Sequence, residues 1–355
     1  MVGIDLFAGA GGLSLGAMRA GVNVTAAVEL DCHAVATYRK NHPQCTMLTQ
    51  DVSDITNEQI RSIPKERDAN SIIFGGPPCQ GFSYSNSRTR SVNNTKNWLF
   101  EEFIRFVRVW EPDFIVFENV RGITNTSDGL FLSEILKQFT ELQYVLTYGV
   151  LNAKDYGVPQ DRARFFLLGT RRPIALSLPP PTSVKSPTVE DAIADLPTLT
   201  NGASTSWLPY GEKKPSAYAN ALRSTCGRSP NHLVTRNAVY VQERYSYIPQ
   251  GGNWQNIPCH LMHNYEDFTR CHTGIYSRLR LDKPSNVIGN YRKNMLIHPT
   301  QDRGLSVREA ARIQSFPDSY EFCGSIGFQQ QQVGNAVPPL LAESVFSHLI
   351  SQAEH

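Results

Sequence analysis

One cysteine stands where a nucleophile would be held rigidly. Cys79 ends the segment Gly75–Cys79, which directly follows the apolar run Ser71–Phe74. Proline fixes φ and removes a backbone donor, so Pro77 and Pro78 stiffen the turn and orient the thiol. Cysteine is a strong nucleophile that needs only modest activation. The pattern predicts a nucleophile at the end of a buried strand; a structural cysteine beside a Gly-Pro turn fits this segment equally well.

Acidic and basic side chains follow two other apolar segments. Glu118 ends the apolar run Phe114–Phe117. Apolar surroundings raise the pKa of a carboxyl group, and the protonated form donates to a ring nitrogen as a general acid. Arg162 and Arg164 are spaced i and i+2, so both guanidinium groups can reach an oxygen-rich ligand or Glu118 from one face of a strand entrance. A solvated strand-end glutamate and a surface ion pair are the alternatives.

Glycines follow the first apolar segment. The run Phe7–Gly12 removes side chains where a ligand must approach the backbone, but it lacks the spacing of dinucleotide and phosphate loops. Glu29 ends the second predicted strand, where a carboxylate accepts from ribose hydroxyls, and Asp51 follows the third, where it accepts from an adenine amino group. These features predict an adenosine pocket without phosphates. A glycine-rich turn with two solvated carboxylates is the alternative.

Strands alternate with helices over about the first 150 residues. This order predicts a doubly wound, mostly parallel α/β sheet, in which ligands bind at the carboxyl ends of the strands. A hairpin, residues 144–151 and 164–169, completes the sheet. The predicted strands are 4–7, 24–28, 71–74 and 114–118, and the predicted helices are 13–20, 33–41 and 98–110.

The alternation stops near Thr170, where proline and polar residues take over. We therefore predict a second, smaller and irregular domain. Order returns near residue 305, where Ser306 and Glu309 form a capping-box pattern, and a last helix is predicted over Pro339–Ser351. The predicted division is 1–174, 175–275 and 276–355, with the last segment returning to complete the first domain.

Composition limits the classes of protein. The chain has 355 residues, 41% of them hydrophobic, and seven cysteines without a disulfide-like spacing. No long apolar run and no secretory signal stand in it, so we expect a cytoplasmic protein without membrane attachment. The formal charge of +2 requires any nucleic acid to be bound by local basic clusters. The residues Cys259, His260, His263, Cys271 and His272 lack the spacing of a zinc site, so no metal is predicted.

Five segments, in their order, resemble the motifs of the bacterial and phage DNA cytosine-5 methyltransferase family. The resemblance covers roughly residues 2–170 and 275–350, and it implies a Rossmann-like methyltransferase domain that uses S-adenosylmethionine and releases S-adenosylhomocysteine. It also implies a small DNA-recognition domain. The five segments are Asp5–Gly12, Gly76–Ser83, Glu118–Val120, Gln160–Arg164 and Gln332–Pro338.

The resemblance implies a reaction and roles for individual residues. Cys79 attacks C6 of a cytosine flipped out of double-stranded DNA, while Glu118 hydrogen-bonds or protonates N3, so that C5 accepts the methyl group. Loss of the C5 proton to a water-mediated base, and elimination, then free the sulfur. Arg164 contacts the cytosine O2 and Arg162 holds Glu118. The implied cofactor residues are Phe7, Ala8, Gly9, Gly11, Gly12, Glu29, Asp51, Pro78 and Asn335.

The predicted DNA contacts lie in two regions. In the first, Ser83 lies near a phosphate and a basic loop with Arg88 and Arg90 closes over DNA, although an ordinary surface loop is the alternative. In the second, basic and amide side chains contact phosphates or base edges, and glycines permit a close approach of the backbone to DNA. The residues of the second region are Arg236, Asn237, Gln250, Gly251 and Gly252.

The expected setting is a prokaryotic or phage modification enzyme, paired with a restriction activity or solitary. We expect a monomer that associates with the nucleoid when it binds DNA. Two rivals stay open: an enzyme of the same mechanism that acts on tRNA, and a DNA-binding regulator that has lost catalysis.

Overall fold

In the computed structural model the described residues are 1–66, 68–78, 99–124, 129–182, 185–262, 274–289, 291 and 295–354. Several predicted site residues lie outside these ranges. They are Cys79, Ser83, Arg88 and Arg90, together with His263, Cys271 and His272 of the rejected zinc set.

The chain forms two compact units. The first comprises residues 1–156, 163–183 and 339–355, and the second comprises 157–162 and 184–338. These boundaries differ from the predicted ones, because residues 276–338 pack within the second unit and only the last helix returns to the first. Among the described helices, none has the length and apolar character that a bilayer span requires.

The first unit contains a seven-stranded sheet in the order β3-β2-β1-β4-β5-β7-β6. Strands β1 to β5 pair in parallel, and β7 runs antiparallel to both β5 and β6. The predicted α/β sheet and its terminal hairpin are therefore confirmed. The strands are β1 Val2–Leu6, β2 Asn23–Val28, β3 Thr46–Leu48, β4 Ser71–Gly75, β5 Phe114–Val120, β6 Val145–Asn152, β7 Ala163–Thr170 and, in the second unit, β8 Leu208–Pro209 and β9 Arg228–Ser229.

The predicted helices form within one or two residues of their expected bounds. In the first unit α4 buries an apolar face against the sheet, with Phe103 packed edge-on against Phe117 and Phe139. This packing holds α4 against β5, the strand that contains Phe117. The helices are α1 Gly12–Arg19, α2 Cys32–Asn41, α3 Asn57–Ser62, α4 Leu99–Trp110, α5 Leu130–Glu141, α6 Val189–Ile193, α7 Ala217–Leu222, α8 Val239–Ser246, α9 Val307–Ile313, α10 Ile326–Asn335 and α11 Pro339–Ala353.

Buried ion pairs hold the second unit together. Arg312 pairs with Asp318 at 2.6 Å and with Asp195 at 3.1 Å, and all three are almost completely buried. Arg303 pairs with Glu309 at 2.7 Å. Glu309 also completes the predicted capping box of α9 with Ser306. In a unit with little regular structure, these guanidinium groups pair with carboxylates and also donate to backbone carbonyls, those of Ala192 and Leu199, that no strand ladder pairs.

Candidate active site

Three candidate segments follow neighbouring strands. In the sheet, β4 lies between β1 and β5, and Gly75 is paired with both Leu6 and Phe117. The carboxyl ends of these three strands are therefore adjacent. Parallel pairing brings the glycine run, the turn that leads to Cys79 and Glu118 to one edge of the sheet.

Glu118 and Arg164 form a buried ion pair. Arg164 Nε lies 3.1 Å from Glu118 Oε1, and the two side chains are 13% and 10% exposed. Antiparallel pairing of β5 with β7 places Arg164 opposite Val120, two residues from Glu118. Burial lowers the pKa of Arg164, and the charge of Glu118 opposes that shift. The pair presents a carboxyl group and a guanidinium group side by side in a largely desolvated setting.

The turn before Cys79 is fixed to the end of β5. Asn119 Nδ2 donates to the carbonyl oxygen of Pro77 at 3.0 Å, and its Oδ1 accepts from the N–H of Val120 at 2.9 Å. A Cβ on Gly76 would lie 2.6 Å from Glu118 Oε2, so this turn also needs a glycine beside the carboxylate. The predictions did not include a role for Asn119 or Gly76. An amide directly after the predicted strand-end glutamate was the available signal.

Arg162 belongs to the second unit and is 1% exposed. It donates to the carbonyl oxygen of Ile288 at 2.8 Å, and to those of Gly334 and Ala336 at 2.9 and 3.0 Å. The side chain thus fastens the segment before β7 to residues near the end of α10. Its implied contact with Glu118 stays a prediction. Asn335, exposed at the end of α10, likewise keeps its cofactor role as a prediction.

The glycine run has the backbone of a ligand loop. Phe7, Gly9 and Gly11 have positive φ values of 61°, 54° and 85°. A Cβ on Gly9 would meet nothing within 4 Å, so the space beside it is open. Ala8 and Gly12 are buried, and Phe7 packs against the core cluster of the sheet. The backbone conformation explains the glycines at 9 and 11, and it strains Phe7.

Two carboxylates follow β2 and β3, the two strands on one side of β1. Glu29 accepts from the N–H of Gly9 at 2.8 Å and from those of Leu30 and Asp31 at 2.9 and 2.8 Å. Asp51 accepts from the N–H and the hydroxyl of Ser53, and these bonds lower its pKa. Carboxylates repel phosphate but accept hydrogen bonds from hydroxyl and amino groups. The donor set therefore fits a nucleoside that carries no phosphate.

Pro78 is half-buried in the turn after β4, whose neighbour β1 leads into the glycine run. Sequence reasoning placed it in the cofactor site, and its side chain lies at the same sheet edge. Its contact with a cofactor stays a prediction.

The predicted reading residue Asn237 is held by its backbone. Asn201 donates to the carbonyl oxygen of Asn237 at 2.9 Å and accepts from its N–H at 2.9 Å. The exposed side chain of Arg236 packs on Gly202, where a Cβ would lie 2.9 Å from its Nε. The backbone is thus fixed while the two side chains are presented on the surface of the second unit.

The backbone conformation and packing of the second unit explain the two glycines that follow Gln250. Gly251 has a φ of +81° and donates to the carbonyl oxygen of Arg278 at 2.9 Å. A Cβ on Gly252 would lie 2.6 Å from Asn256 Oδ1, so its own chain already fills that space. Gln250 is exposed and accepts from the N–H of Leu281 at 3.0 Å. The contacts of these residues with DNA stay predictions.

Within the described ranges, no group of three potential metal ligands occurs. Cys259 and His260 lie there and are exposed. The other three residues of the rejected zinc set lie outside those ranges.

Known proteins are similar to this chain along almost its whole length. The model of the family described as C-5 cytosine-specific DNA methylase matches residues 1–351. Type II methyltransferase M1.HphI of Haemophilus parahaemolyticus is 37% identical, over 96% of this chain and 84% of its own length. Type II methyltransferase M.XorII of Xanthomonas oryzae is 36% identical, over 97% and 83%. A crystal structure of a putative DNA modification methyltransferase encoded in an Escherichia coli prophage superposes with a TM-score of 0.82 and 28% identity, covering 100% of both chains.

Proposed function

The chain belongs to the C-5 cytosine-specific DNA methylase family, and on that premise we propose how it performs the methylation of cytosine C5. The substrate is a cytosine within a specific sequence of double-stranded DNA, and the methyl donor is S-adenosylmethionine. The observation that carries this proposal is the buried Glu118–Arg164 pair beside the turn that leads to Cys79.

The glycine run and two carboxylates support the choice of donor. S-adenosylmethionine supplies an electrophilic methyl group and leaves as S-adenosylhomocysteine. The residues Phe7 and Asp51 hold its adenine and Glu29 its ribose, while the open space at Gly9 admits its methionine part. The two carboxylates favour this ligand over a dinucleotide, and so does the fact that the glycine run lacks the spacing of a phosphate-binding loop.

Cys79 and Glu118 divide the activation of the base between them. The Cys79 thiolate bonds to C6 while Glu118 hydrogen-bonds or protonates N3, so negative charge does not accumulate on the ring and C5 becomes nucleophilic. Arg164, already paired with Glu118, contacts O2. A water-mediated base then takes the C5 proton, and the electron pair of that C–H bond restores the ring as the sulfur leaves.

A cytosine in a duplex cannot expose C6, so the base must rotate out of the stack, at a cost of about a few kcal/mol. Ser83, Arg88 and Arg90 contact the DNA near the open site. Arg236, Asn237 and Gln250–Gly252 contact phosphates and base edges from the second unit.

The setting follows from the relatives by analogy. Both curated relatives are named as Type II methyltransferases, so we propose a protective methylase of a restriction–modification pair, or a solitary one. We further propose that it acts as a monomer in a prokaryotic cytoplasm, at the nucleoid when bound to DNA.

Covalent trapping tests the mechanism. A duplex with 5-fluorocytosine at the target position, incubated with S-adenosylmethionine, should form an adduct with the wild type because fluorine cannot leave as a cation. A Cys79→Ser variant should bind DNA and form no adduct. Recovery of free wild-type protein would contradict the proposed nucleophile.

The target sequence and the rival functions need a second measurement. Bisulfite sequencing of DNA from cells that express the protein gives the methylated sequence directly. Parallel assays with labelled donor on duplex DNA and tRNA separate the substrates. Activity on tRNA alone would contradict the DNA assignment, and equal turnover by Cys79→Ser would indicate that the residue has no catalytic role.

A further inference from the structure

A chain of buried polar side chains connects the elements on either side of the glycine run. Ser14 Oγ, in the first half of α1, lies 2.6 Å from Asp5 Oδ2 on β1 and 2.7 Å from Tyr38 Oη on α2. Tyr38 Oη lies 3.6 Å from the sulfur of Cys45. Asp5, Ser14 and Tyr38 are each 0% exposed. The chain therefore runs wholly inside the first unit.

Asp5 has too few partners for a charged carboxylate. Among the described residues, its Oδ1 has no hydrogen-bond donor, although the atom is fully buried. A buried carboxylate is costly unless a cation or several donors compensate it. Burial is the largest cause of the raised pKa of Asp5, which is about 8. Asp5 is therefore protonated at neutral pH.

The titratable groups around Asp5 also oppose its ionisation. Glu29 raises the pKa of Asp5, and Asp5 in turn raises those of Tyr38 and Cys45. The neighbouring strands β2 and β4 contain no titratable side chain. From α1 and α11 come Arg19 and Glu343, which are partly exposed and pair with each other at 3.6 Å.

The remaining titratable residues of α2 are Cys32, His33, Arg39 and Lys40, and His42 follows the helix. The His42 ring lies 4.7 Å from the ring of Tyr38. Burial lowers the pKa of His42 to about 4, so it is neutral where Asp5 titrates. None of these groups offers Asp5 a compensating hydrogen bond.

The ionisation state of Asp5 sets the direction in which each hydroxyl group of this side-chain network donates its hydrogen bond. A protonated Asp5 donates to Ser14, Ser14 to Tyr38, and Tyr38 to Cys45. An ionised carboxylate only accepts, so Ser14 must then turn its hydrogen toward Asp5 and Tyr38 must turn toward Ser14. Loss of one proton thus reorients every hydroxyl in the chain.

Both ends of the glycine run are attached to this chain. Asp5 lies two residues before Phe7, and Ser14 lies in the helix whose N-cap, Gly11, has no side-chain cap. His42, whose ring is tilted against that of Tyr38, is hydrogen-bonded to the backbone of Gly11. A change in the chain therefore reaches the backbone of the run directly.

We propose that the Asp5–Ser14–Tyr38 chain positions the run Phe7–Gly12 for the methyl donor, and that the run binds the donor when Asp5 carries a proton. This inference rests on the proposed use of S-adenosylmethionine. Asp5 is a positioning residue in this scheme, because it acts through the run and does not touch the cofactor.

Calorimetric titration of the full chain with S-adenosylhomocysteine, without DNA and from pH 6.5 to 9, tests the inference. Binding by the wild type should weaken about tenfold from pH 7 to pH 9, since the competent fraction falls with the proton on Asp5. The amide of Asp5→Asn imitates the protonated carboxyl, so its affinity should match the wild type at pH 7 and fall much less at pH 9. Titration of the ligand's own amino group affects both proteins equally.

Two tyrosine variants complete the design. Tyr38→Phe keeps the ring and breaks the chain, so affinity should fall several-fold at pH 7. Tyr144→Phe removes another buried hydroxyl of the same unit, which donates to the carbonyl oxygen of Pro112, and should leave affinity unchanged. Tyr38→Phe decides the matter if Asp5→Asn does not fold.

Equal pH dependence of wild type and Asp5→Asn would overturn the inference, as would unchanged affinity in Tyr38→Phe. The proposed function fails in a different way. A folded wild type that binds no S-adenosylhomocysteine at pH 7 would refute the cofactor assignment and the inference with it.

Discussion

The position of the Glu118 carboxylate depends on the side chain of Arg164 and on the lack of a side chain at Gly76. Arg164 fixes one carboxylate oxygen at 3.1 Å, and the other lies 2.6 Å from the position that a Cβ on Gly76 would take. Misplacement of a catalytic group by about 1 Å can cost about 100-fold in rate. We therefore expect that Gly76, which has no side chain, tolerates few substitutions.

We predict that Gly76→Ala lowers kcat by about 10- to 100-fold, because the added methyl group displaces the Glu118 carboxylate. Single-turnover methylation of duplex DNA measures this loss. Gly289→Ala is the matched control, since a Cβ there meets nothing within 4 Å. Equal effects of the two substitutions would show that crowding of Glu118 is not the cause.

At the scale of elements, parallel pairing of β1, β4 and β5 assembles the site. Each strand ends in a segment with its own chemistry, and Asn119 links two of these segments through the carbonyl oxygen of Pro77. The second unit instead depends on caps and ion pairs. Its helix α9 begins with Ser306, which is fully buried and bonded to Glu309 in both directions.

We predict that Ser306→Ala destabilises the second unit by about 1 to 2 kcal/mol, because a buried cap is lost. Urea unfolding measures the change. Thr56→Ala removes the exposed capping box of α3 and should cost about 0.5 kcal/mol. A larger loss for Thr56→Ala would contradict the assumption that burial strengthens the cap.

At the scale of the whole molecule, buried ionisable groups set the pH range of stability. Burial lowers the pKa values of His42, His232 and His298 to about 4, from 6.5. Their neutral forms are favoured in the fold, so stability is lost as pH falls from 6.5 toward 4. Asp5, with its pKa raised to about 8, acts in the opposite direction: its contribution is complete below pH 4 and is lost as pH rises through 8.

Between pH 4 and 6.5 the unfolded chain binds up to three protons on these histidines that the folded chain does not bind, whereas the folded chain binds one extra proton on Asp5. The balance of these two effects places the stability maximum near pH 6.5. We predict a rise of about 3 kcal/mol per pH unit below that value, as an upper limit, and a slower fall above it. Denaturant unfolding from pH 5 to 8.5 measures the curve. Asp5→Asn should flatten the alkaline limb of the stability curve, whereas the control His348→Gln on α11 should change neither the acidic nor the alkaline limb. A stability maximum far from pH 6.5 would contradict the prediction.

Local sequence carried the fold class of the first domain and the residue types of its site. The strand and helix patterns and the turn at Pro77 and Pro78 depend on residues close together in the chain, so the sequence alone predicts them. The five ordered segments identified the family. The capping box at Ser306 was legible for the same reason.

Contacts between residues distant in the chain came only with the folded structure. The spacing of Arg162 and Arg164 allowed either of them to reach Glu118, and the register of β5 against β7 brings Arg164 to it. The backbone anchoring of Arg162 depends on where Ile288, Gly334 and Ala336 pack. The chain through Asp5 was likewise not apparent, because strand patterning shows that a carboxyl group is buried but not which hydroxyl it meets. Hydrogen-bond partners are set by three-dimensional packing, and no local period encodes them.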